Sequence, residues 1–472
     1  MAKTPGFRIE KDTLGEMKVP AKAYYGIQTV RASENFRVSG IRPKPEFVKA
    51  TAMIKLSAAM VNSRLNLLDK KRASAMEKAA KEVMEGRLAD EFIVDVYQAG
   101  AGTSHNMNVN EVIANRALEL LGQKRGDYSK LHPNDHVNMA QSTNDVFPTA
   151  MRLAAVAMTE NLLGSLSLLE SELRKKAREF KAVVKSGRTH LQDAVPITLG
   201  AEFLSYADCV KRRAERIKKS SLPLKSLGIG GTAVGTGLNA HPRYAAMMVK
   251  TLSSISGIKG LRRHENAFEA TNSMADFVEF SSALRALAIE LIRISNDIRL
   301  LSSGPRTGLS EIKLPATQPG SSIMPGKVNP VMAEMLAMVS FQVMGNDLAI
   351  AMAAQAGQLE LNVMMPVINY NALQSIEILA NATEAFAKRC VRGIAADKKR
   401  CLEHFEKSAG LATVLNPVMG YEKAAMVAKE AAKRNVTIRE LVMEKGILEK
   451  AALRRILNMD NLIKAVKPGK RG

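Results

Sequence analysis

Four glycine-punctuated polar segments hold most of the side chains that could do chemistry. They are GAGTSHNMNVNE, HPNDHVNMAQSTND, SGRTHLQDAVP and QPGSSIMPGKVNP, at 100–111, 132–145, 186–196 and 318–330. They supply small hydroxyl groups, carboxamides and a cation, and no paired cysteines lie nearby. Such groups bind carboxylates by hydrogen bonding without bringing in competing negative charge. The segments therefore predict a small dicarboxylate as the ligand.

The fourth segment combines a pliable backbone with hydroxyl groups and a cation. Gly320 and Gly326 flank Ser321 and Ser322, so the predicted loop can hinge over a bound ligand. Lys327 follows directly, and its ammonium could lower the cost of forming a serine alkoxide. In isolation, a structural turn with an ordinary surface lysine explains the same pattern.

Two histidine patterns in these segments are typical of catalysis or of metal binding. Thr189 and His190 precede a helix predicted to begin near Pro196, which would leave both in a connecting loop. A histidine there can bind a ligand or relay a proton, although the residue taken alone is more typical of a structural histidine. His132 and His136 have the i, i+4 spacing of some zinc pairs, but the intervening proline favours a turn and no glutamate base lies between them. No catalytic zinc is predicted.

Glycine spacing elsewhere is similar to two nucleotide-binding patterns and matches neither. GIGGTAVGTG at 228–237 neither follows a clear strand nor lies in an alternating strand–helix pattern. Between Gly320 and Gly326 the spacing is one residue too long for a phosphate loop, and Val328 replaces the required hydroxyl. A nucleotide is therefore not predicted.

Long amphipathic helices must position these segments. Over about 268–303, apolar residues recur at three- and four-residue steps and predict one helix: Phe277, Phe280, Leu284, Leu287, Leu291, Ile294, Ile298 and Leu301. Four more helices are predicted similarly, at about 145–185, 197–222, 331–355 and 366–395. Together they indicate a mainly α protein built on a five-helix bundle.

Shorter elements flank the bundle, with strand-like turns near 15–40. Three domains are therefore predicted: an N-terminal mixed, mostly helical domain at 1–143, a central helical bundle at 144–398 and a small C-terminal helical domain at 399–472. The helix at 331–355 carries apolar residues on more than one face, which an isolated bundle would expose. We therefore predict an obligate homo-oligomer with a shared helical core.

Composition and charge exclude several classes of protein. Among 472 residues, 46% are hydrophobic and 24% charged, as in globular proteins and unlike disordered ones. The net charge of +22 comes with no nucleic-acid-binding motif, and the compact basic cluster lies at the tail: Lys467, Lys470 and Arg471. We predict no nucleic-acid partner.

Cysteine usage and hydropathy predict a cytoplasmic protein with no membrane partner. Cys209, Cys390 and Cys401 are few and widely separated, which fits neither a disulfide framework nor a metal motif. The N-terminus lacks an apolar stretch of signal-peptide length. Four polar residues interrupt the longest apolar segment: Glu334, Gln342, Asn346 and Asp347.

Taken together and in this order, the polar segments resemble the sequence blocks of the aspartase/fumarase superfamily. GSSIMPGKVNP at 320–330 is similar to its signature, and GAGT, NDHVNMAQSTND, GRTHLQDAVP and GGTAVGTGLNA are similar to its other blocks. The resemblance begins at 8–29 and reaches the C-terminal helices. It implies a three-domain lyase fold whose long five-helix bundles form a twenty-helix core in a homotetramer, with active sites shared by three subunits.

Three segments are most similar to the aspartase branch: YYGIQT at 24–29, AQSTND with Thr143, and AGQLELNV at 356–363. That branch performs the reversible anti elimination of ammonia from L-aspartate to give fumarate. Class II fumarate hydratase, acting on fumarate and L-malate, is the alternative, because His132 and His190 resemble fumarase residues and Met365 departs from the glutamate usual in aspartases. A non-catalytic structural protein on the same fold is a third alternative, disfavoured by the complete set of polar residues.

The resemblance also implies a role for each matched residue. Ser321 would be the base that removes the Cβ proton, while His190 and Asn144 would face the leaving amine. Donors to the β-carboxylate, where negative charge grows, would be Thr103, Ser142, Thr143 and Ser322. The α-carboxylate would be held by Thr189, Lys327 and Asn329. No redox cofactor is required, and an activating divalent cation outside the chemical step is the one ion that the resemblance implies.

Overall fold

A computed structural model of the chain describes residues 6–456, which are mainly helical. The helices that precede the polar segment 318–330 are α1 (Ile27–Asn35), α2 (Pro45–Arg64), α3 (Lys70–Met84), α4 (Thr103–Leu120), α5 (Thr143–Glu179), α6 (Leu199–Ser220), α7 (Tyr244–Ser256), α8 (Glu269–Asn272) and α9 (Ala275–Leu301). The helices that follow this segment are α10 (Val331–Gln355), α11 (Met365–Arg389), α12 (Lys398–Lys407), α13 (Leu411–Met419), α14 (Tyr421–Arg434), α15 (Ile438–Glu444) and α16 (Lys450–Ile456). The basic tail cluster lies outside the described residues.

Strands are short and pair two by two. The antiparallel pairs are β1 (Phe7–Asp12) with β2 (Gly15–Pro20), β3 (Val184–Thr189) with β4 (Gln192–Thr198), and β7 (Ile312–Lys313) with β8 (Ala395–Ala396). The parallel pair is β5 (Ser226–Leu227) with β6 (Arg262–Arg263). Single helical turns lie at Ala89–Glu91, Gly100–Gly102, Pro133–Val137, Pro223–Lys225 and Val391–Gly393.

The structure confirms the five predicted long helices as α5, α6, α9, α10 and α11. Two helices end earlier than predicted, because α5 ends at Glu179 rather than near 185 and α11 ends at Arg389 rather than near 395. One helix begins later than predicted, because the helix predicted from about 268 begins at Ala275 and α8 forms a separate short helix before it. Ser273 between them has an extended backbone, which breaks the continuous helix. The apolar stripe from Phe277 to Leu301 is buried, as its periodicity predicts.

The described residues form two compact units. The first comprises 6–163, 215–288 and 341–380, and the second comprises 164–214, 289–340 and 381–456. In the first unit, α2, α3 and α4 enclose a core that includes Ala52, Ala79, Val109 and Ile113. In the second, the short C-terminal helices pack around Phe405, Leu415, Leu441 and Val442. The predicted boundaries at 143 and 398 stay predictions.

Polar contacts join the long helices inside the first unit. The Arg152 side chain on α5 is almost fully buried, and its Nη1 donates to Asp276 Oδ2 on α9 at 2.6 Å. Ser281 Oγ on α9 donates to the buried Asp347 Oδ1 on α10, also at 2.6 Å. A charge or hydroxyl that is buried in this way needs a partner, so these contacts fix which helix faces meet.

Comparable contacts link the long helices inside the second unit. Arg174 Nη2 on α5 donates to Asp208 Oδ1 on α6 at 2.7 Å. Tyr206 OH on α6 donates to Asp297 Oδ2 on α9 at 3.1 Å. Each unit therefore has its own polar contacts between long helices in addition to its apolar core.

Helix α10 keeps a large apolar stripe at its surface. The exposed members recur along one side of the helix and are 58–62% exposed: Met338, Phe341, Leu348 and Met352. Among the described residues, α10 is also long and apolar enough to cross a membrane by length and composition. However, Asn346 is buried and donates to Ser375 Oγ on α11 at 3.0 Å, which is typical of a core helix.

Removing the buried cation of α5 is expected to destabilise the fold. Arg152→Met would leave the Asp276 carboxylate without its partner, so we expect the free energy of unfolding to fall by about 3 kcal/mol. The control is Arg87→Met, because Arg87 forms an exposed pair with Glu85 at 2.7 Å, for which a loss below about 1 kcal/mol is expected. Urea unfolding at one protein concentration measures both. Equal losses for the two variants would contradict the importance of the buried pair.

Candidate active site

The first part of the candidate site is the N-terminus of α4. Thr103 is its first residue and is exposed, and the turn Gly100–Gly102 leads into it with positive φ at Ala101 (62°) and Gly102 (84°). A Cβ at Gly102 would lie 2.0 Å from Phe147 Cε2, so only glycine fits under that ring. The first helical turn has N–H groups without partners in the helix and a partial positive charge, which together favour an anion beside Thr103.

The second part is the first turn of α5, which carries three predicted site residues. Ser142 Oγ caps the helix by accepting from Asn144 N at 3.2 Å. Thr143 Oγ1 accepts from Asn106 Nδ2 on α4 at 3.1 Å, so the starts of α4 and α5 are joined. Asn144 Nδ2 donates to Ala233 O at 2.7 Å. The structure thus brings the predicted residues of these two segments together within the first unit.

A buried carboxylate holds the start of α5 and the glycine-rich segment together. Asp145 Oδ1 accepts from Ser142 N at 2.9 Å, and its Oδ2 accepts from Gly230 N at 2.9 Å and Thr232 N at 3.0 Å. Burial raises the pKa of this carboxyl to about 6, against the opposing effect of the three N–H donors. The glycine-rich segment at 228–237 therefore folds around a carboxylate of the chain itself.

A buried lysine lies beneath these segments and was missed by the sequence analysis. Lys55 Nζ donates to Asn106 Oδ1 at 2.8 Å, Asn138 Oδ1 at 2.9 Å and Gln141 Oε1 at 3.0 Å. Burial lowers the pKa of its ammonium to about 7, although the Asp145 carboxylate acts in the opposite direction. The available signal is a lone lysine in the apolar run TAMIKLSAAM on α2.

The third part is the tip of the β3–β4 hairpin. Thr189 ends β3, and His190 and Leu191 form a two-residue turn with φ of 56° and 59°. The helix predicted to begin near Pro196 is α6, which begins at Leu199, but the predicted connecting loop is wrong, because Thr189 ends β3 and Gln192–Thr198 form β4. Positive φ at two consecutive non-glycine residues is strained backbone, and it presents the exposed imidazole at the end of a rigid hairpin.

The fourth part is the serine loop at 318–330. Ser321 is half-buried, and its Oγ accepts from Ile323 N at 3.2 Å and Met324 N at 3.0 Å. Both N–H groups donate to the oxygen that would carry the negative charge if the hydroxyl ionised. Ser322 beside it is exposed. The loop therefore supplies a serine in an environment suited to a base.

The ends of the serine loop are closed by backbone contacts. Gly320 N donates to Lys327 O at 2.9 Å, and Asn329 Nδ2 donates to Gly320 O at 2.7 Å. A Cβ at Gly320 would lie 2.1 Å from Lys327 O, so the closure requires glycine. The Lys327 side chain is exposed, and a cavity of about 760 Å³ extends beside it with Arg299 and Lys313 in its lining. Glu334 also lines the cavity, and Lys313 is paired with Asp397 at 2.9 Å, so Lys327 and Arg299 are the cations that remain for an anionic ligand.

His132 and His136, the pair with zinc-like spacing, form hydrogen bonds within a single turn of the chain. Pro133–Val137 forms one π-helical turn, His132 N donates to His136 Nδ1 at 2.9 Å, and His132 Nδ1 accepts from Asn134 N at 3.2 Å. Within residues 6–456, no group of three or more His, Cys, Asp or Glu side chains is placed to hold a metal ion. That no zinc takes part in catalysis stays a prediction.

Family comparison matches two regions of the chain. A family model described as a lyase matches residues 15–345, and one described as the fumarase C C-terminus matches residues 411–464. The first match alone covers more than half of the sequence and includes all four site segments.

Individual relatives resemble the chain over nearly its full length. An aspartate ammonia-lyase from Bacillus sp is 52% identical over 451 residues, 96% of each chain. A Brucella melitensis crystal structure described as fumarate lyase:delta crystallin bound to cobalt has a TM-score of 0.93 and 48% identity, covering 97% of this chain and 99% of that one. A class II fumarase from Schistosoma mansoni has a TM-score of 0.92 and 40% identity, covering 96% and 98%.

Replacing the buried lysine is expected to weaken the first unit in a pH-dependent way. Lys55→Met removes the donor to three carboxamide oxygens, so we expect a loss of about 2–4 kcal/mol at pH 7. In the wild type, the folded state releases this proton near pH 7, whereas the unfolded state keeps it up to about 10.5. The unfolded state then binds more protons between pH 7 and 10.5, so the free energy of unfolding of the wild type rises relative to that of the variant as the pH increases.

Urea unfolding at pH 6, 7.5 and 9 measures this difference. The matched control is Lys49→Met, because Lys49 is an exposed residue on the same helix and should change stability little at every pH. A difference in the free energy of unfolding between wild type and Lys55→Met that stays constant from pH 6 to 9 would show that Lys55 titrates alike in both states.

Proposed function

The chain belongs to the lyase family, and we propose that it is an aspartate ammonia-lyase that reversibly converts L-aspartate to fumarate and ammonia by anti elimination. The observation that carries the proposal is an identity of 52% with a relative of that name over 96% of both chains. The class II fumarase neighbour is less similar, at 40% identity. A carbon–nitrogen lyase is therefore favoured over a hydratase.

Proton removal from Cβ is the step assigned to the serine loop. In the proposal, Ser321 Oγ takes the proton, and the electron pair of the C–H bond moves toward the adjacent β-carboxylate. The N–H groups of Ile323 and Met324 already donate to this oxygen, which supports its ionised form before the reaction. Closure of the loop would exclude water and strengthen these contacts.

The β-carboxylate gains negative charge as the proton leaves, so donors must converge on it. The α4 N-terminus with Thr103 and the start of α5 with Ser142 and Thr143 supply such donors on a rigid frame. Ser322 would join them from the loop. Preorganised donors of this kind contribute several kcal/mol to catalysis because they need no rearrangement as charge develops.

The α-carboxylate and the amine are assigned to the remaining residues. Lys327 supplies a point charge, and Thr189 and Asn329 supply neutral donors that orient the substrate. The Asn329 amide donates to Gly320 O in this structure, so binding would exchange that contact for one to substrate. His190 and Asn144 face the amine, which leaves as the C–N bond breaks and the C=C bond of fumarate forms.

The proposed assembly is a homotetramer with a twenty-helix core and active sites shared by three subunits. The exposed stripe of α10 supports it, because packing against equivalent helices would remove that apolar surface from water. No redox cofactor enters the proposed reaction, since elimination leaves the overall oxidation state unchanged. An activating divalent cation would act outside the chemical step. The proposed location is the cytoplasm.

A direct comparison of substrates tests the proposed activity. We expect fumarate to form from L-aspartate and not from L-malate, as followed by absorbance of the fumarate double bond. Turnover of malate without turnover of aspartate would establish the hydratase alternative instead. Absence of both activities in a correctly assembled protein would favour a structural protein on the same fold.

Substitution of the loop serine tests the proposed base. Ser321→Ala should lower kcat by about 10³-fold, because general base catalysis contributes on that order, while the oligomeric state stays unchanged. Ser220→Ala is the control, since Ser220 Oγ only donates to Ile217 O at the end of α6. An unchanged rate in Ser321→Ala would remove the serine from the mechanism.

Mixing two variants of strongly reduced but measurable activity tests whether active sites are shared between subunits. Ser321→Ala and His190→Ala subunits, unfolded and refolded together, should regain part of the wild-type activity, because some sites would then combine an intact serine loop with an intact hairpin. Each variant refolded alone is the control. If mixed tetramers are verified by mass and no activity returns, sites are not composed of these two segments from different subunits.

A further inference from the structure

A buried cluster of charges lies at the base of the His190 hairpin, in the second unit. Its centre is Glu311, whose side chain is fully buried. Lys185 Nζ lies 2.7 Å from Glu311 Oε2, and Arg188 Nη2 donates to Glu311 Oε1 at 2.8 Å. His404 Nδ1 on α12 lies 3.0 Å from the same Oε1. Lys185 also donates to both carboxylate oxygens of Glu202 on α6 at 2.9 Å.

Lys185 and Arg188 lie on the strand that leads directly to His190, the proposed catalytic histidine. This strand is β3, and Arg188 is separated from His190 only by Thr189. The strained turn at His190 and Leu191 has no glycine to relax it, so its geometry depends on what holds the strand beneath. The Glu311 carboxylate provides that support from the side opposite to the tip.

The backbone of Glu311 is fixed independently of its side chain. Glu311 N donates to Leu301 O at 2.8 Å, and its carbonyl accepts from Asp397 N at 2.9 Å. The next residues form β7, which pairs with β8, and the chain then leads to the serine loop. A side-chain substitution at 311 would therefore leave the path to the serine loop in place and alter mainly the hold on β3.

Electrostatics make this hold strong. Burial alone would raise the pKa of the Glu311 carboxyl, but the Arg188 and Lys185 cations outweigh it and keep the pKa below its usual value. The buried Lys185 and the largely buried Arg188 meet the carboxylates of Glu311 and Glu202, so loss of one negative charge leaves a largely buried positive charge without compensation. Relief of that charge requires β3 to move or water to enter beneath the hairpin.

We propose that Glu311 is a positioning residue for catalysis, because its carboxylate clamps β3 through Arg188 and Lys185 and so fixes the His190 imidazole in its reactive orientation. The inference rests on the proposed function through the role of His190 at the leaving group. The carboxylate lies behind the hairpin and does not contact substrate. Its effect should therefore disappear when His190 no longer contributes.

A double-mutant cycle tests this dependence. Glu311→Gln keeps the side-chain shape and removes the charge, so we expect kcat to fall by about 30-fold while KM changes by less than about 5-fold. In a His190→Ala background, the same substitution should change kcat by less than about 3-fold, because there is no imidazole left to misplace. An equal loss in both backgrounds would overturn the proposal.

Matched variants separate positioning from general stability. Glu172→Gln is the control, since Glu172 is another buried carboxylate of the second unit with two cationic partners, Lys175 at 2.9 Å and Arg392 at 3.0 Å. It should leave kcat within about 2-fold of wild type even if the melting temperature falls. Glu311→Asp, which restores the charge, should recover part of the activity lost in Glu311→Gln. If Glu172→Gln loses as much activity as Glu311→Gln, the loss reflects general destabilisation of the protein and the positioning role is rejected.

A second variant serves if Glu311→Gln fails to assemble. Arg188→Lys keeps the charge but loses the forked guanidinium, so kcat should fall by about 5-fold and this loss should also vanish with His190→Ala. All rates are measured with L-aspartate and L-malate. If the wild type turns over malate and not aspartate, the proposed function is rejected, but the mutant cycle can still be measured with malate. If the kcat losses from the Glu311 and His190 substitutions are additive on the substrate that is turned over, only the inference about Glu311 is rejected.

Discussion

A charge that leaves water must be met by partners of the opposite kind, and this requirement shapes the catalytic segments of the chain. Asp145 accepts hydrogen bonds from N–H groups at the start of α5 and in the glycine-rich segment, and Lys55 donates to three carboxamide oxygens. Glu311 collects two cations from β3. In each case some of the partners lie in or directly beside an irregular segment that carries candidate site residues: the start of α5, the glycine-rich segment and the turn at His190. Pairing of buried charge therefore gives these segments the rigidity that their own backbone lacks.

The long helices were predictable because their information is local. Apolar residues at helical spacing define a buried face in any tertiary context, and α5, α6, α9, α10 and α11 follow that rule. The hairpin was not predictable in the same way. Its turn residues, His190 and Leu191, are not the glycine or asparagine that usually mark positive φ, so the sequence carries no turn signal there. Tertiary support from beneath the strand overrides the local preference.

Candidate site residues could be proposed from the sequence, whereas the groups that hold them could not. Hydroxyls and carboxamides stand out because they cluster in glycine-punctuated segments between the long helices. Lys55 and Glu311 have no such context, since their partners lie far away in sequence: Asn138 is 83 residues from Lys55, and Arg188 is 123 residues from Glu311. A lone charge inside an apolar run indicates burial, but only the folded structure identifies its partner.

The attachment of β3 to Glu311 has a consequence for communication inside an assembly. The histidine hairpin and the strand that leads to the serine loop share one rigid anchor within a chain. If those two segments of a chain serve different catalytic centres, a single buried carboxylate contributes to the geometry of both. One substitution at Glu311 would then affect two centres of an assembly through a single polypeptide.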